Sequence, residues 1–251
     1  MVFYFSGTGN SQYLAERIAA ATGDEARSIS AAIKDGEYSY ACPRAGLVLP
    51  VYCFGPPEIA LRFIARLQLS SPYVYCALTC AGSTANAAEL LRRKLMERGI
   101  TLNAAFSVAM VNNYIPMFPM PDAQSAAARL AAAEPAIEQI CRLVCANAEG
   151  DMDGLKGPAP RLTTGLLYPL YGLARSTKPF RVTESCTGCG LCWGVCPDEV
   201  IKLTADRPRW ARDKCNMCLA CLHRCPAAAI QYGRGSRKKR RYVNPNVEFK
   251  L

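Results

Sequence analysis

Eight of the fourteen cysteines fall between Cys186 and Cys225, in two copies of one pattern, Cys-x2-Cys-x2-Cys-x3-Cys-Pro. The first copy is Cys186, Cys189, Cys192 and Cys196, closed by Pro197; the second is Cys215, Cys218, Cys221 and Cys225, closed by Pro226. Every position recurs 29 residues later, with Ile201 matched by Ile230. Two units of this size, each too small to hold a core, must pair to fold. Gaps of two residues let three thiolates of one tight loop reach three corners of an iron–sulfur cubane. The fourth cysteine, turned away by its proline, ligates the other cubane. The expected sets are therefore Cys186, Cys189, Cys192 and Cys225 for one [4Fe–4S] cluster, and Cys215, Cys218, Cys221 and Cys196 for the other. Zinc sites use pairs of cysteines and do not need three per loop with Cys-Pro.

The opening residues lack the basic stretch, apolar run and small-residue cleavage site of a signal peptide, so a cytoplasmic location is expected. There, regular cysteine spacing points to metal rather than disulfides. The scattered cysteines (Cys42, Cys53, Cys76, Cys80, Cys141 and Cys145) read as packed thiols. Two long uncharged stretches, Leu67–Ala88 and Gly99–Pro121, are broken by Pro, Asn, Ser and Gly, so no membrane span is expected. Residues 1–150 hold 12 Lys/Arg and 12 Asp/Glu, whereas residues 151–251 hold 18 and 8. Part of that basic excess offsets the anionic clusters and need not signal nucleic acid.

Over about 50 residues the cysteine repeat resembles the two-cluster bacterial ferredoxins. Gly188 and Gly190 suit a tight loop whose amides bond to cluster sulfurs. His223, the only histidine, lies between two ligands and is read as a surface residue rather than a ligand.

The first 150 residues read differently. Apolar runs at Val2–Phe5, Ala45–Val51, Tyr73–Thr79 and Ala104–Val111, with a weaker one near Ala26–Ile29, alternate with amphipathic stretches at Ser11–Ala21, Pro57–Leu67, Ala87–Arg98 and Ala123–Asn147. Strands alternating with helices predict a parallel sheet covered on both faces. Between the first strand and helix stand Ser6, Gly7, Thr8, Gly9, Asn10 and Ser11. Small residues and hydroxyls at a helix N-terminus favour a phosphate. A P-loop would need Gly-Lys-Ser/Thr, and the dinucleotide fingerprint would need glycine at Gln12, so a mononucleotide is expected.

Ser-x-Thr-Gly-Asn-Ser resembles the flavodoxin loop that holds the FMN phosphate. The resemblance implies an α/β, doubly wound, five-stranded parallel sheet in order 2-1-3-4-5, followed by a small α+β two-cluster ferredoxin-like domain. FMN would lie at the carboxyl ends of strands one and three. Its ring would meet Tyr52, Cys53, Phe54 and Gly55 after the third strand, Thr79, Ala81, Gly82 and Ser83 after the fourth, and Asn113 and Tyr114 after the fifth. Many flavodoxins place an aromatic where Ala81–Ser83 stand, so one ring face is expected to be open. No residue is singled out as a catalytic acid; Tyr52, Cys53 and Tyr114 are the candidates.

The expected organisation is a flavodoxin-like FMN-binding domain (1–149), a linker with an apolar segment at Leu162–Ala174 (150–179), a ferredoxin-like domain (180–233) and a solvated basic tail (234–251). The apolar segment reads as packing between the domains, with a membrane-surface segment as the alternative. The whole chain looks like the flavodoxin–ferredoxin fusion proteins of anaerobic microbes. That resemblance implies an oxidoreductase, a ferredoxin-linked flavin-dependent reductase, with a low-potential electron donor or acceptor protein as partner and a small molecule at the flavin. A carrier without a substrate and a redox-sensing nucleic-acid binder using Arg234–Arg241 are the competing readings. The last is disfavoured because a short charge run is usually solvated.

Overall fold

A computed structural model describes residues 1–248. Val2–Tyr4 (β1) runs through a loop into Asn10–Thr22 (α1), then Ala26–Ser28 (β2), Ile29–Asp35 (α2), Ser39–Ala41 (β3) and Ala45–Pro50 (β4). Next come Glu58–Ile64 (α3), Gln68–Ser70 (β5), Val74–Cys80 (β6), Ala87–Met96 (α4), Ala104–Ala109 (β7) and Ala123–Cys145 (α5). Gly150–Met152 (β8) and Pro160–Ala174 (α6) lead into Phe180–Val182 (β9) and Leu191–Gly194 (α7). The last elements are Ile201–Thr204 (β10), Arg207–Trp210 (β11), Ala220–His223 (α8) and Ile230–Tyr232 (β12).

The main sheet has six strands in the order β2-β1-β4-β6-β7-β8, and every pairing in it is parallel. The five expected strands keep the order 2-1-3-4-5, but the count is corrected to six. Gly150–Met152, expected as the start of a linker, pairs with Ala104–Phe106 at the sheet edge. A three-residue Gly-Asp-Met strand has no apolar run for a periodicity argument to find. Outside this sheet, β3 and β5 form a small parallel pair.

Side chains alternate across the strands, as a sheet covered on both faces requires. Phe3, Leu47, Leu49, Cys76 and Leu78 join one core with α3 and α4. Val2, Val48, Tyr75, Ala77 and Phe106 join the other with α1 and α5. That second core continues without a break into Phe180, Val200, Ile201, Leu222 and Ile230 of the cysteine module. In the module, β9 pairs antiparallel with β12, and β10 with β11.

The segment before α6 is fastened rather than loose. Buried Asp153 accepts two contacts from Thr84 Oγ1, at 2.9 and 2.7 Å, and one from the Leu155 amide at 3.1 Å. Thr84→Val removes the hydroxyl donor from a buried carboxylate. We expect a loss of about 1–3 kcal/mol, read as a lower urea midpoint at unchanged slope.

The tail departs most from expectation. Ser236, Tyr242 and Asn244 are buried, and Lys239 Nζ donates to the Ile115 carbonyl at 2.9 Å. Residues 234–248 fold back across the first domain. The expectation of a solvated tail is corrected in part: Arg234, Arg237, Lys238 and Arg240 are exposed, but Ser236, Tyr242 and Asn244 anchor the segment; 249–251 lie outside the described residues. No helix among the described residues is long and apolar enough to cross a membrane.

Candidate cofactor sites

The thiols separate into two groups. Cys186, Cys189, Cys192 and Cys225 line one small cavity together with Gly188 and Gly190. The fourth member therefore comes from the second repeat. Burial, and then the Cys225, Cys189 and Cys186 sulfurs, push the Cys192 thiol up to about 11 against the opposing Trp193 amide. Cys218 and Cys221 are driven well above the ordinary thiol range, first by burial and then by sulfurs that include Cys196 and Cys215. Cys196, the last cysteine of the first repeat, thus sits with the first three of the second.

Among the described residues no three His, Cys, Asp or Glu side chains converge on a point that one ion could occupy; the first thiol group lines a small cavity instead. A buried thiolate is costly unless a cation faces it, and coordinated iron removes that cost. The donor sets therefore fit iron–sulfur clusters. Amides already point at sulfur: Met217 N lies 3.3 Å from Cys215 Sγ, and Ala229 N lies 3.3 Å from Cys225 Sγ.

The groups differ in exposure. At the first, Cys189 is exposed, and Trp193 is 53% exposed. At the second, Cys215 and Cys221 are buried. Asp198, itself buried, accepts from the Asn216 amide at 2.5 Å, from Asn216 Nδ2 at 2.6 Å and from Arg62 of α3 at 2.5 Å. Asn216 in turn accepts from the Ile59 amide at 2.8 Å. The inner group is therefore built against α3.

A cavity of about 680 Å³ opens at the carboxyl ends of β1, β4, β6 and β7. Ligand pockets commonly fall in this size range and at this place in a doubly wound sheet. Ser6, Gly7, Asn10 and Ser11 line it, with Tyr52, Cys53, Phe54, Thr79, Ala81, Gly82, Ser83, Asn113 and Tyr114. Three of the expected residues are not in its wall. Thr8 is fully buried; its hydroxyl accepts from Asn113 Nδ2 at 2.7 Å and its carbonyl from the Asn244 amide at 2.8 Å. Gly9 lies beneath Asn244 and Val247, and Gly55 beneath the Tyr168 ring.

The loop geometry suits an anion and a flat ring. Gly9, with φ 100°, is the N-cap of helix α1, and no side chain caps the helix. Ser11 and Thr79 hydroxyls meet at 2.7 Å. Tyr52 and Gly55 exchange backbone bonds at 2.8 and 3.0 Å, forcing Cys53 and Phe54 to positive φ of 47° and 66°. Ala81 and Gly82 are exposed. The Tyr52 hydroxyl is buried without a hydrogen-bond partner among the described residues. These features fit a mononucleotide with a planar head group.

Sequence reasoning missed what the second domain brings. Met217, Cys218 and Leu219 form part of the cavity wall. Arg224, placed between two ligands in the sequence, donates from Nε to the Gly7 carbonyl at 3.2 Å; burial lowers it to about 10. It fastens the cysteine module to the loop before α1. From α6 come Tyr171 and Ala174.

His223 is corrected from a surface residue to a buried one, 3% exposed. Its Nε2 donates to the Asn113 carbonyl at 2.8 Å, because its Nδ1 accepts from the Tyr242 amide at 3.1 Å. Burial is the main cause that lowers it to about 4, which keeps the ring neutral for both bonds. The Tyr242 hydroxyl donates to Asn10 Oδ1 at 2.7 Å, so the tail ties His223 to the first residue of α1.

Residues 177–238 match the family model of the 4Fe-4S dicluster domain. No curated protein matches the chain. Solved structures similar to it include the Trp repressor binding protein from Bacillus subtilis, at 14% identity, covering 57% of this chain and 95% of that one, TM-score 0.39. A flavodoxin from the domain Archaea is 14% identical over 59% of this chain and 94% of its own, TM-score 0.35. Two-electron reduced Megasphaera elsdenii flavodoxin is 17% identical over 55% and 97%, TM-score 0.33. The strand order, not these scores, carries the fold, and the family match makes residues 177–238 similar to an iron–sulfur domain.

Proposed function

We propose that the chain is an iron–sulfur flavoprotein that moves electrons between two [4Fe–4S] clusters and FMN, and through FMN to or from a small molecule. One observation carries this reading: Cys218 belongs to the inner thiol group and also lines the flavin-sized cavity. FMN, when bound, exchanges electrons singly or in pairs, which couples one-electron donors to two-electron chemistry.

The chain's own residues set the order. Cys189 and Trp193 give the outer group a solvent-facing side for a donor or acceptor protein. Asp198, Arg62 and Asn216 hold the inner group against α3. Ser6, Asn10 and Ser11 would meet the phosphate, with Arg224 behind Gly7. Tyr52, Phe54 and Tyr114 would flank the ring. The exposed Ala81 and Gly82 leave space beside it, which favours a substrate over a carrier role.

Anaerobic preparation with chemical analysis and reductive titration tests this. The expected material contains about eight iron per chain and one FMN, and a reduced low-potential donor protein bleaches the flavin. A small-molecule acceptor then restores the flavin colour; restoration only by proteins would favour the carrier. Material that takes up iron but no flavin would overturn the proposal.

A further inference from the structure

Helix α6 fastens one side to the protein and leaves the other uncovered. On the fastened side, Thr164 Oγ1 donates to the Phe54 carbonyl at 2.8 Å, and Tyr171 OH donates to the Asn216 carbonyl at 2.8 Å. The opposite side carries Leu162, Leu166, Leu170 and Leu173, spaced to fall on one helical face. They are 64, 65, 50 and 75% exposed. Half of the exposed large apolar side chains among the described residues lie on this helix. An apolar stripe of this kind on an otherwise ordinary surface marks an interaction site.

Along the sequence the stripe is bracketed by cations, of which Arg175 is paired with Glu58 and Lys156 with Asp151. Residues 155–183 contain five Lys/Arg and no Asp/Glu. Arg161 stands at one end of α6 and Lys178 beyond the other, both exposed. Leucines flanked by cations, on a helix of 15 residues that is too short to span a bilayer, match the make-up of an interfacial helix. We infer that α6 docks the protein on an anionic lipid surface, its leucine face in the headgroup–acyl boundary and Arg161 and Lys178 on lipid phosphates. Arg161 and Lys178, exposed at the two ends of the leucine face, carry the charge complementarity to lipid phosphates, since Arg175 and Lys156 are occupied by Glu58 and Asp151. This inference stands on α6 alone and does not depend on which flavin fills the cavity. Because Tyr171 and Ala174 of α6 also wall that cavity, docking brings it within about one helix diameter, ~10–12 Å, of the headgroups.

Co-sedimentation of the full chain, prepared anaerobically, tests it with vesicles of phosphatidylcholine alone or mixed with phosphatidylglycerol. The wild type should sediment with the mixed vesicles, and less so at high salt. Leu166→Glu with Leu170→Glu should lower the partition more than about tenfold, with circular dichroism and iron content as in the wild type. Met96→Glu, an exposed apolar position on α4, should change nothing. Should the leucine variant misfold, Arg161→Gln with Lys178→Gln keeps the stripe and should still weaken binding to mixed vesicles. Wild type that stays in the supernatant, or variants that sediment equally, would overturn the inference. A dimer by light scattering that the leucine variant dissolves, without vesicle binding, would assign the face to a second copy and also overturn it.

Discussion

If the proposed function holds, Cys196→Ala should leave the chain with about half of its iron, four of the eight that two cubanes would hold, and should disconnect the proposed flavin from the outer thiol group. Cys196 follows Cys192 in the first repeat. Yet its sulfur is among those that raise Cys215, Cys218 and Cys221, while the cavity of Cys186, Cys189 and Cys192 is completed by Cys225. The loss should therefore fall on the inner group. Paired variants make the grouping measurable. Cys196→Ala with Cys218→Ala should lose no more iron than Cys196→Ala alone, because both empty one site. Cys196→Ala with Cys189→Ala should lose nearly all of it. Iron and sulfide analysis reads both, and the reverse pattern would show that each repeat holds its own cluster.

Gly7→Ala should separate the two cofactor regions while leaving each ligand in place. A Cβ at Gly7 would stand 2.2 Å from the Cys218 carbonyl oxygen. That neighbour is backbone held in the cysteine loop, so it cannot rotate away as a side chain could. Overpacking of this kind costs about 1–3 kcal/mol. The strain falls where the Gly7 carbonyl accepts from Arg224, so flavin affinity should drop about tenfold or more, the equivalent of about 1.4 kcal/mol. Gly165→Ala is the control, since nothing lies within 4 Å of its added Cβ and it is outside the cavity wall. Flavin fluorescence titration reads the affinity, and equal values for the two variants would contradict the packing argument.

The cysteine spacing, the strand–helix alternation and the small-residue loop were legible because each is a local pattern with a local physical cause. The spacing also suggests a crossed pairing, and Cys225 does line one cavity with Cys186, Cys189 and Cys192. What escaped was decided by contacts distant in the sequence. Gly150–Met152 is a strand only because Ala104–Phe106 offers it an edge. His223 and Arg224 look like ordinary residues between ligands until the cysteine module is placed against the loop before α1. Arg234–Arg241 reads as a solvated charge run, yet Arg241 donates to the Ile230 carbonyl at 2.9 Å and Lys239 to that of Ile115. Thr8 belongs to the phosphate-loop pattern but spends its hydroxyl on Asn113. Such long-range burial follows from tertiary packing that no period in the sequence encodes.

Rapid mixing under anaerobic conditions, with a reduced low-potential donor protein and flavin absorbance as the signal, is the most direct measurement of the link between the inner thiol group and the cavity. Wild type should bleach at a rate that becomes independent of donor concentration once the outer cluster is filled, and Cys196→Ala should bleach far more slowly. Equal bleaching of wild type and Cys196→Ala would mean that electrons reach the flavin without passing the inner cluster, and would contradict the account.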